Sequence, residues 1–156
     1  MRIIRKESQE QISNEDINKL IAYRRENIDA THVTKALDNR FKNGSRLWLS
    51  YYHGTLAGYI WSVRGRMISP YFFPVPLSDA VLFDSEIFPE FRGKGLNVII
   101  MKYILYNLKK DGVTRTYRVA QVWNQSSLIF LSKCHFKHYG TAHKFHILRK
   151  DITVWH

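Results

Sequence analysis

Glu86-Ile87-Phe88-Pro89-Glu90-Phe91-Arg92-Gly93-Lys94-Gly95-Leu96-Asn97 joins an apolar run to a turn with two glycines and two cations, and then to the first turn of a helix. The first N–H groups of a helix have no carbonyl partner, and the helix dipole puts partial positive charge beside them. Gly93 and Gly95 keep side chains away from those amides and permit positive φ, while Arg92 and Lys94 add full charges. Phosphate is the anion such a turn suits. The spacing is that of neither a P-loop nor the dinucleotide fingerprint G-x-G-x-x-G, so nucleotide hydrolysis and hydride transfer lose support. An ordinary strand-to-helix turn with solvated cations is the alternative reading.

Outward from this junction the chain reads as interleaved strands and helices. Ala80 to Phe88 predicts the strand that enters the turn. Val98, Met101, Ile104, Leu105 and Leu108 recur at helical spacing from about Gly95 to Lys110, and Asp111-Gly112 stops that helix. Thr116 to Val122 predicts a further strand and Ser126 to Cys134 a short helix, with Phe136 to Tyr139 and Phe145 to Trp155 expected to complete the sheet. On the other side, residues 2–6 predict an edge strand, Ser13 and Asp16 cap a helix running to about Asn27, and His32 to Lys42 form a second helix ended by Asn43-Gly44. Arg46 to His53 and Leu56 to Val63 are β-rich runs joined through His53-Gly54-Thr55, a hairpin signal, and their aromatic residues read as core. Residues 65–79, with Pro70, Pro74 and Pro76 around Tyr71-Phe72-Phe73, form a long aromatic loop that either covers a ligand or packs over the sheet. The order βααβββαβαβ predicts an α/β layer fold with a mixed sheet.

Composition bounds what this fold can do. A chain of 156 residues with 45% hydrophobic and 14% aromatic content is expected to form a single domain over 1–156 with a substantial core. No apolar stretch approaches bilayer length and Met1 to Glu7 lacks a secretory h-region, so a soluble, cytoplasmic protein is expected. Cys134 has no partner for an internal disulfide and reads as a small buried residue. His135, His138, His143 and His146 lack metal-site spacing, so no metal is expected. The formal charge of +11 suits an anionic partner, but no zinc-finger or RNP-like pattern supports nucleic acid.

Two segments in order resemble the GNAT superfamily of N-acetyltransferases. Arg92-Gly93-Lys94-Gly95-Leu96-Asn97, between strand and helix, is similar to its acyl-CoA motif Q/R-x-x-G-x-G/A. Asn124-Gln125-Ser126-Ser127, followed by Phe130 to Phe136, is similar to its later N-x-x-S/A…Y-x-K-x-G-F segment. The resemblance spans about Ala80 to Tyr139 and departs at three positions: Asn97 stands for Gly or Ala, Leu131 for a tyrosine that protonates the leaving thiolate, and His135 for a glycine.

That resemblance implies a mixed, mostly antiparallel sheet with helices on both faces and a donor, acetyl-CoA, whose pantetheine arm lies between splayed fourth and fifth strands beside Ile87 and Phe88. Its pyrophosphate would rest on the turn of Arg92, Gly93, Lys94, Gly95, Leu96 and Asn97, with Asn124, Ser127 and Lys133 as further contacts, although Asn124 also reads as a helix cap. Acyl transfer needs a neutral amine, a polarised carbonyl and a proton for the thiolate. Alternation sets Asp84 and Glu86 on one strand face opposite Phe83, Ser85 and Ile87, which makes Glu86 the candidate base and Asp84 its partner. A surface ion pair is the other reading of both. With Leu131 unable to act as an acid, Tyr139 and His135 are the neighbouring candidates. The acceptor is expected to be an amine, anionic in view of the charge: an amino sugar, a nucleotide-linked amino sugar or a protein amine. Two copies could form a homodimer. A non-catalytic acyl-CoA-binding module is the competing class.

Overall fold

The computed structural model describes residues 1–23, 30–66, 73–147 and 150–156. Five strands form one sheet in the order β1 (Arg2–Lys6), β2 (Arg46–Tyr52), β3 (Thr55–Arg64), β4 (Asp79–Ile87) and β5 (Arg115–Arg118). The first four pair antiparallel with one another in that order, and β5 runs parallel to β4. The hairpin between β2 and β3 turns on two residues with positive φ, His53 at 49° and Gly54 at 81°, the backbone a tight two-residue turn requires.

Alternation along these strands feeds two cores, one on each face. On one face α3 (Leu96–Lys110) sets Leu96, Ile100, Met101, Ile104 and Leu108 against Trp48, Ala57, Ile60, Ala80 and Leu82. Burying each such aliphatic side chain contributes about 1.5–3 kcal/mol. On the other face α1 (Asn14–Tyr23) and α2 (Ala30–Lys42) bring Leu20, Val33 and Leu37 onto Leu47, Leu49, Tyr59, Trp61 and Phe88. The expected helices on both faces of a mixed sheet are therefore present. Ser13 caps α1 as its spacing predicts, accepting from the Asp16 N–H at 3.2 Å and donating to the Asp16 carboxylate at 2.8 Å. Gly44, at φ 76°, closes α2. The expected continuation of α1 to Asn27, and Pro70 to Phe72 of the aromatic loop, fall outside the described residues.

Three expectations are corrected. Strand β4 is not regular: Ile60 pairs with Ser85 and Trp61 with Phe83, so Asp84 is an extra residue with φ 40°. The bulge reverses the parity after it, and Phe83 joins the core on the α1–α2 side instead of sharing a face with Ser85 and Ile87. Strand β5 stops at Arg118, four residues before Val122. The C-terminal strands β6 (Ala142–Ile147) and β7 (Lys150–Trp155) pair with each other in a separate two-stranded sheet, and Phe136 to Tyr139 forms no strand.

Candidate active site

The site begins where β4 and β5 part. Their ladder ends at Leu82 and Arg118, and the Asp84 bulge follows at once. Phe88 donates its N–H to the Ala57 carbonyl at 2.9 Å, so alternation along the antiparallel ladder turns Ile87 N–H and C=O away from β3, toward the open side. Gly58 lets the two strands approach there: a Cβ on it would lie 2.4 Å from the Glu86 carbonyl oxygen and 2.9 Å from Ile87 Cδ1. Between this edge and the first turn of α4 (Gln125–Lys133) lies a cleft of about 500 Å³. It gathers five of the sequence-predicted residues, Glu86, Ile87, Arg92, Asn97 and Ser127, with Tyr59, Ile60, Ser85, Arg118, Ser126 and Phe130.

The turn that enters α3 has the conformation its glycines suggest, with φ of 76° at Gly93 and 70° at Gly95, the residue before the helix. Space is not what they supply, since a Cβ on either would meet nothing within 4 Å. Arg92 folds back on β4, its Nε donating to the Ile87 carbonyl at 2.9 Å and its Nη2 standing 3.0 Å from Glu86 Oε1. Lys94 extends over the rings of Tyr52 and Phe91, at 5.3 and 5.4 Å, and Leu96 is buried in the core beneath. Asn97 uses its Oδ1 to accept from the Val98 N–H at 2.9 Å, occupying one amide at the helix start.

The two strand carboxylates are both engaged. Glu86 lines the cleft and pairs with Arg92, whereas Asp84 is bound by Arg40 of α2 and accepts from the Tyr59 hydroxyl at 3.2 Å. Phe88 does not reach the cleft: it is fully buried on the opposite face, stacked on Tyr23 with ring centroids 4.0 Å apart. Tyr139 is 70% exposed and belongs to an aromatic cluster with Phe73, Tyr117 and Trp155, away from the cleft. Asn124 caps α4, accepting from the Ser127 N–H at 3.0 Å and from the Ser126 hydroxyl at 2.9 Å, and Lys133 lies exposed at the far end of that helix. Arg118 and Ser85 were not singled out in the sequence. The signal available was a cation inside Thr116 to Val122, a run that otherwise reads as interior strand.

Among the described residues no group of three or more His, Cys, Asp or Glu could hold a metal ion, and no helix is long and apolar enough to cross a membrane. The sequence profile of the acetyltransferase (GNAT) family matches residues 12–136. The chain belongs to that family. No curated protein matches it by sequence. Solved GNAT-like structures do match its fold. An aminoglycoside antibiotic 6'-N-acetyltransferase from Acinetobacter haemolyticus superposes with a TM-score of 0.69 at 12% identity, covering 93% of this chain and 97% of that one. A ribosomal-protein-alanine N-acetyltransferase from Brucella melitensis gives 0.68 at 14%, covering 92% and 88%. An aminoglycoside acetyltransferase from an uncultured soil metagenomic sample, in complex with trehalose, gives 0.65 at 14%, covering 94% and 95%.

GNAT enzymes use acetyl-CoA as co-substrate, and the residues of this GNAT chain suit such a donor: a strand edge at Ile87 turned away from β3, a left-handed glycine before the first turn of α3, and Arg92 and Arg118 flanking the cleft. The departures from the GNAT motifs have structural accounts. Asn97 is accommodated by bonding its own helix. Leu131 is buried, and offers no proton. His135 keeps the backbone of the glycine it replaces, at φ 62°, with its N–H bonded to the Ser132 carbonyl at 2.9 Å.

Proposed function

We propose that this acetyltransferase moves an acetyl group from acetyl-CoA to the primary amine of a small molecule, an amino sugar or a nucleotide-linked amino sugar, by direct attack on the thioester. The observation that carries the reading is the convergence of the open Ile87 edge, the Arg92 to Asn97 turn and the Glu86 carboxylate on one cleft. The fold's likeness to aminoglycoside acetyltransferases supports an amino-sugar acceptor, and the net charge of +11 supports one bearing phosphate or carboxylate.

In this mechanism the pyrophosphate lies on the amides after Gly93, joined by Arg92, and the pantetheine arm bonds the edge of β4 as an added strand would. Ile87 N–H donates to the thioester carbonyl and stabilises the charge that develops on it. Glu86 takes the ammonium proton, directly or through water. The amine nitrogen forms its bond to the acyl carbon and releases its second proton to solvent, the carbon–sulfur bond breaks, and the thiolate takes a proton from solvent, since Leu131 cannot give one. Asp84 acts as a positioning residue, fixing the bulge through Arg40 and Tyr59.

The test is incubation with acetyl-CoA and a panel of amines while free CoA is followed: glucosamine, a nucleotide-linked amino sugar, an aminoglycoside and an alanine-initiated peptide. Acceptor-dependent release with the sugars is expected. Release with the peptide alone would make the enzyme a protein N-acetyltransferase, a reading that the likeness to the ribosomal-protein-alanine acetyltransferase also supports. CoA binding without release by any amine would leave a binding module.

A further inference from the structure

Where β4 and β5 part, the cleft carries a positive charge without a counter-charge among the described residues. Arg118 is the last residue paired to β4, so it stands where the opening begins. Its Nη2 donates to the Ser85 hydroxyl, and its guanidinium carbon lies 5.5 Å from the centre of the Phe130 ring. Nη1 is buried and makes no hydrogen bond among the described residues. The three carboxylates on the neighbouring strand are engaged elsewhere, Glu86 by Arg92, Asp84 by Arg40 and Asp79 by Arg115. Burial pulls the guanidinium below the ordinary arginine value, with Cys134 acting in the opposite direction. A half-buried cation with no anion beside it among the described residues is unfavourable, and the guanidinium fork has the shape of a carboxylate's partner.

Position decides which anion this is. The phosphate-suited turn lies at the other end of the cleft, tied to Ile87 through Arg92. From Ile87 back to Ser85 a strand rises about 7 Å. A donor held by its phosphates at the turn and by its amides along β4 therefore brings its acyl group, and not a phosphate, to Arg118.

We propose that Arg118 and Ser85 bind a carboxylate at the free end of the acyl group, so that among donors longer than acetyl-CoA the cleft selects a dicarboxylic acyl-CoA such as succinyl-CoA. The inference rests on the reading of the cleft as an acyl-CoA site. Transfer would follow the same balance as for acetyl: the amine nitrogen bonds the thioester carbon, the carbon–sulfur bond breaks, CoA leaves as the thiol, and the product is an amide with a free terminal carboxylate.

The experiment is calorimetric titration of the full chain with CoA, butyryl-CoA and succinyl-CoA, the two acyl chains having equal length and differing in methyl against carboxylate. Succinyl-CoA is expected to bind at least about tenfold more tightly than butyryl-CoA, a difference of about 1.4 kcal/mol. The ratio is expected to fall to about one in Arg118→Gln and in Arg118→Met, the second variant keeping an apolar stem should the first not fold. Equal wild-type affinities, or a ratio unchanged in either variant, overturn the proposal. Absence of CoA binding overturns the donor-site reading and this inference with it, whereas CoA binding without succinyl preference overturns the inference alone. Indifference to the acyl terminus, with an Arg118-dependent preference for carboxylated amines, would assign the anion to the acceptor and overturn it as well.

Discussion

Arg92 Nη2 lies 3.0 Å from Glu86 Oε1 while Nε of the same residue donates to the Ile87 carbonyl at 2.9 Å. One guanidinium thus joins the phosphate-suited turn to the carboxylate assigned to proton removal. A pyrophosphate that draws Arg92 toward the turn would release Glu86 to the amine, which orders donor before acceptor.

If Glu86 takes the ammonium proton, Glu86→Gln lowers kcat by about 10²- to 10³-fold with little change in the KM for acetyl-CoA. Steady-state kinetics across pH checks this, and turnover equal to wild type at every pH would remove Glu86 from the mechanism.

Gly58 of β3 pairs with Ile87 of β4 with no room for a side chain. Gly58→Ala places a methyl group against the Glu86 carbonyl oxygen, a backbone atom that cannot rotate away. The variant is expected to lose about 1–3 kcal/mol of stability, as overpacked sites do, and to raise the KM for acetyl-CoA as the Ile87 edge shifts. Thermal melts and donor kinetics read the two effects, and a variant that matches wild type in both would mean the strands close less tightly than described.

His135 holds a left-handed backbone that costs a side-chain-bearing residue about 1–2 kcal/mol, part of which glycine gives back as chain entropy. His135→Gly should therefore stabilise the protein by about 0.5–1 kcal/mol. Urea unfolding measures it, and a destabilised variant would show that the imidazole makes a contribution larger than the strain.

Asp79 is fully buried at the start of β4. Burial works to raise its pKa, but hydrogen bonds from Thr114, Ser78 and Tyr117 and the charge of Arg115 outweigh it and leave the carboxyl below its ordinary value. A folded pKa below the unfolded one means stability present above about pH 4 and lost as pH falls through the folded value. Asp79→Asn should cost about 2 kcal/mol at pH 7, and the gap to wild type should narrow below pH 4. Unfolding midpoints from pH 7 to pH 3 test the sign, and a gap that widens in acid would contradict it.

Much of the fold could be read from local signals because each acts over a few residues. Ser13 with Asp16, Asn43-Gly44, His53-Gly54 and Asp111-Gly112 mark ends that the structure keeps. The Asp84 bulge could not be read this way, because nothing in Phe83-Asp84-Ser85 distinguishes an extra residue from a regular one; only pairing with β3 reveals it. The same holds for β6 and β7, whose composition suits a sheet but whose hydrogen bonds go to each other. At the cleft, Arg92 and Asn97 of the glycine turn and the carboxylate of Glu86 are legible as motif and strand chemistry. Tyr139 is near α4 in sequence but not in space, and its ring packs on Phe73 and Tyr117 instead. Arg118 carries no signal in the sequence, because a half-buried cation looks there like any solvated one.

The extra residue at position 84 also matters for comparing this chain with its relatives. Set against a protein whose fourth strand is regular, an ungapped alignment would be correct through Phe83 and displaced by one residue from Ser85 onward, matching Glu86 to a side chain that points the other way. At identities of 12–14% no run of matching letters would expose the error. A one-residue gap at Asp84 restores the correspondence, and any catalytic role transferred to Glu86 by alignment depends on it.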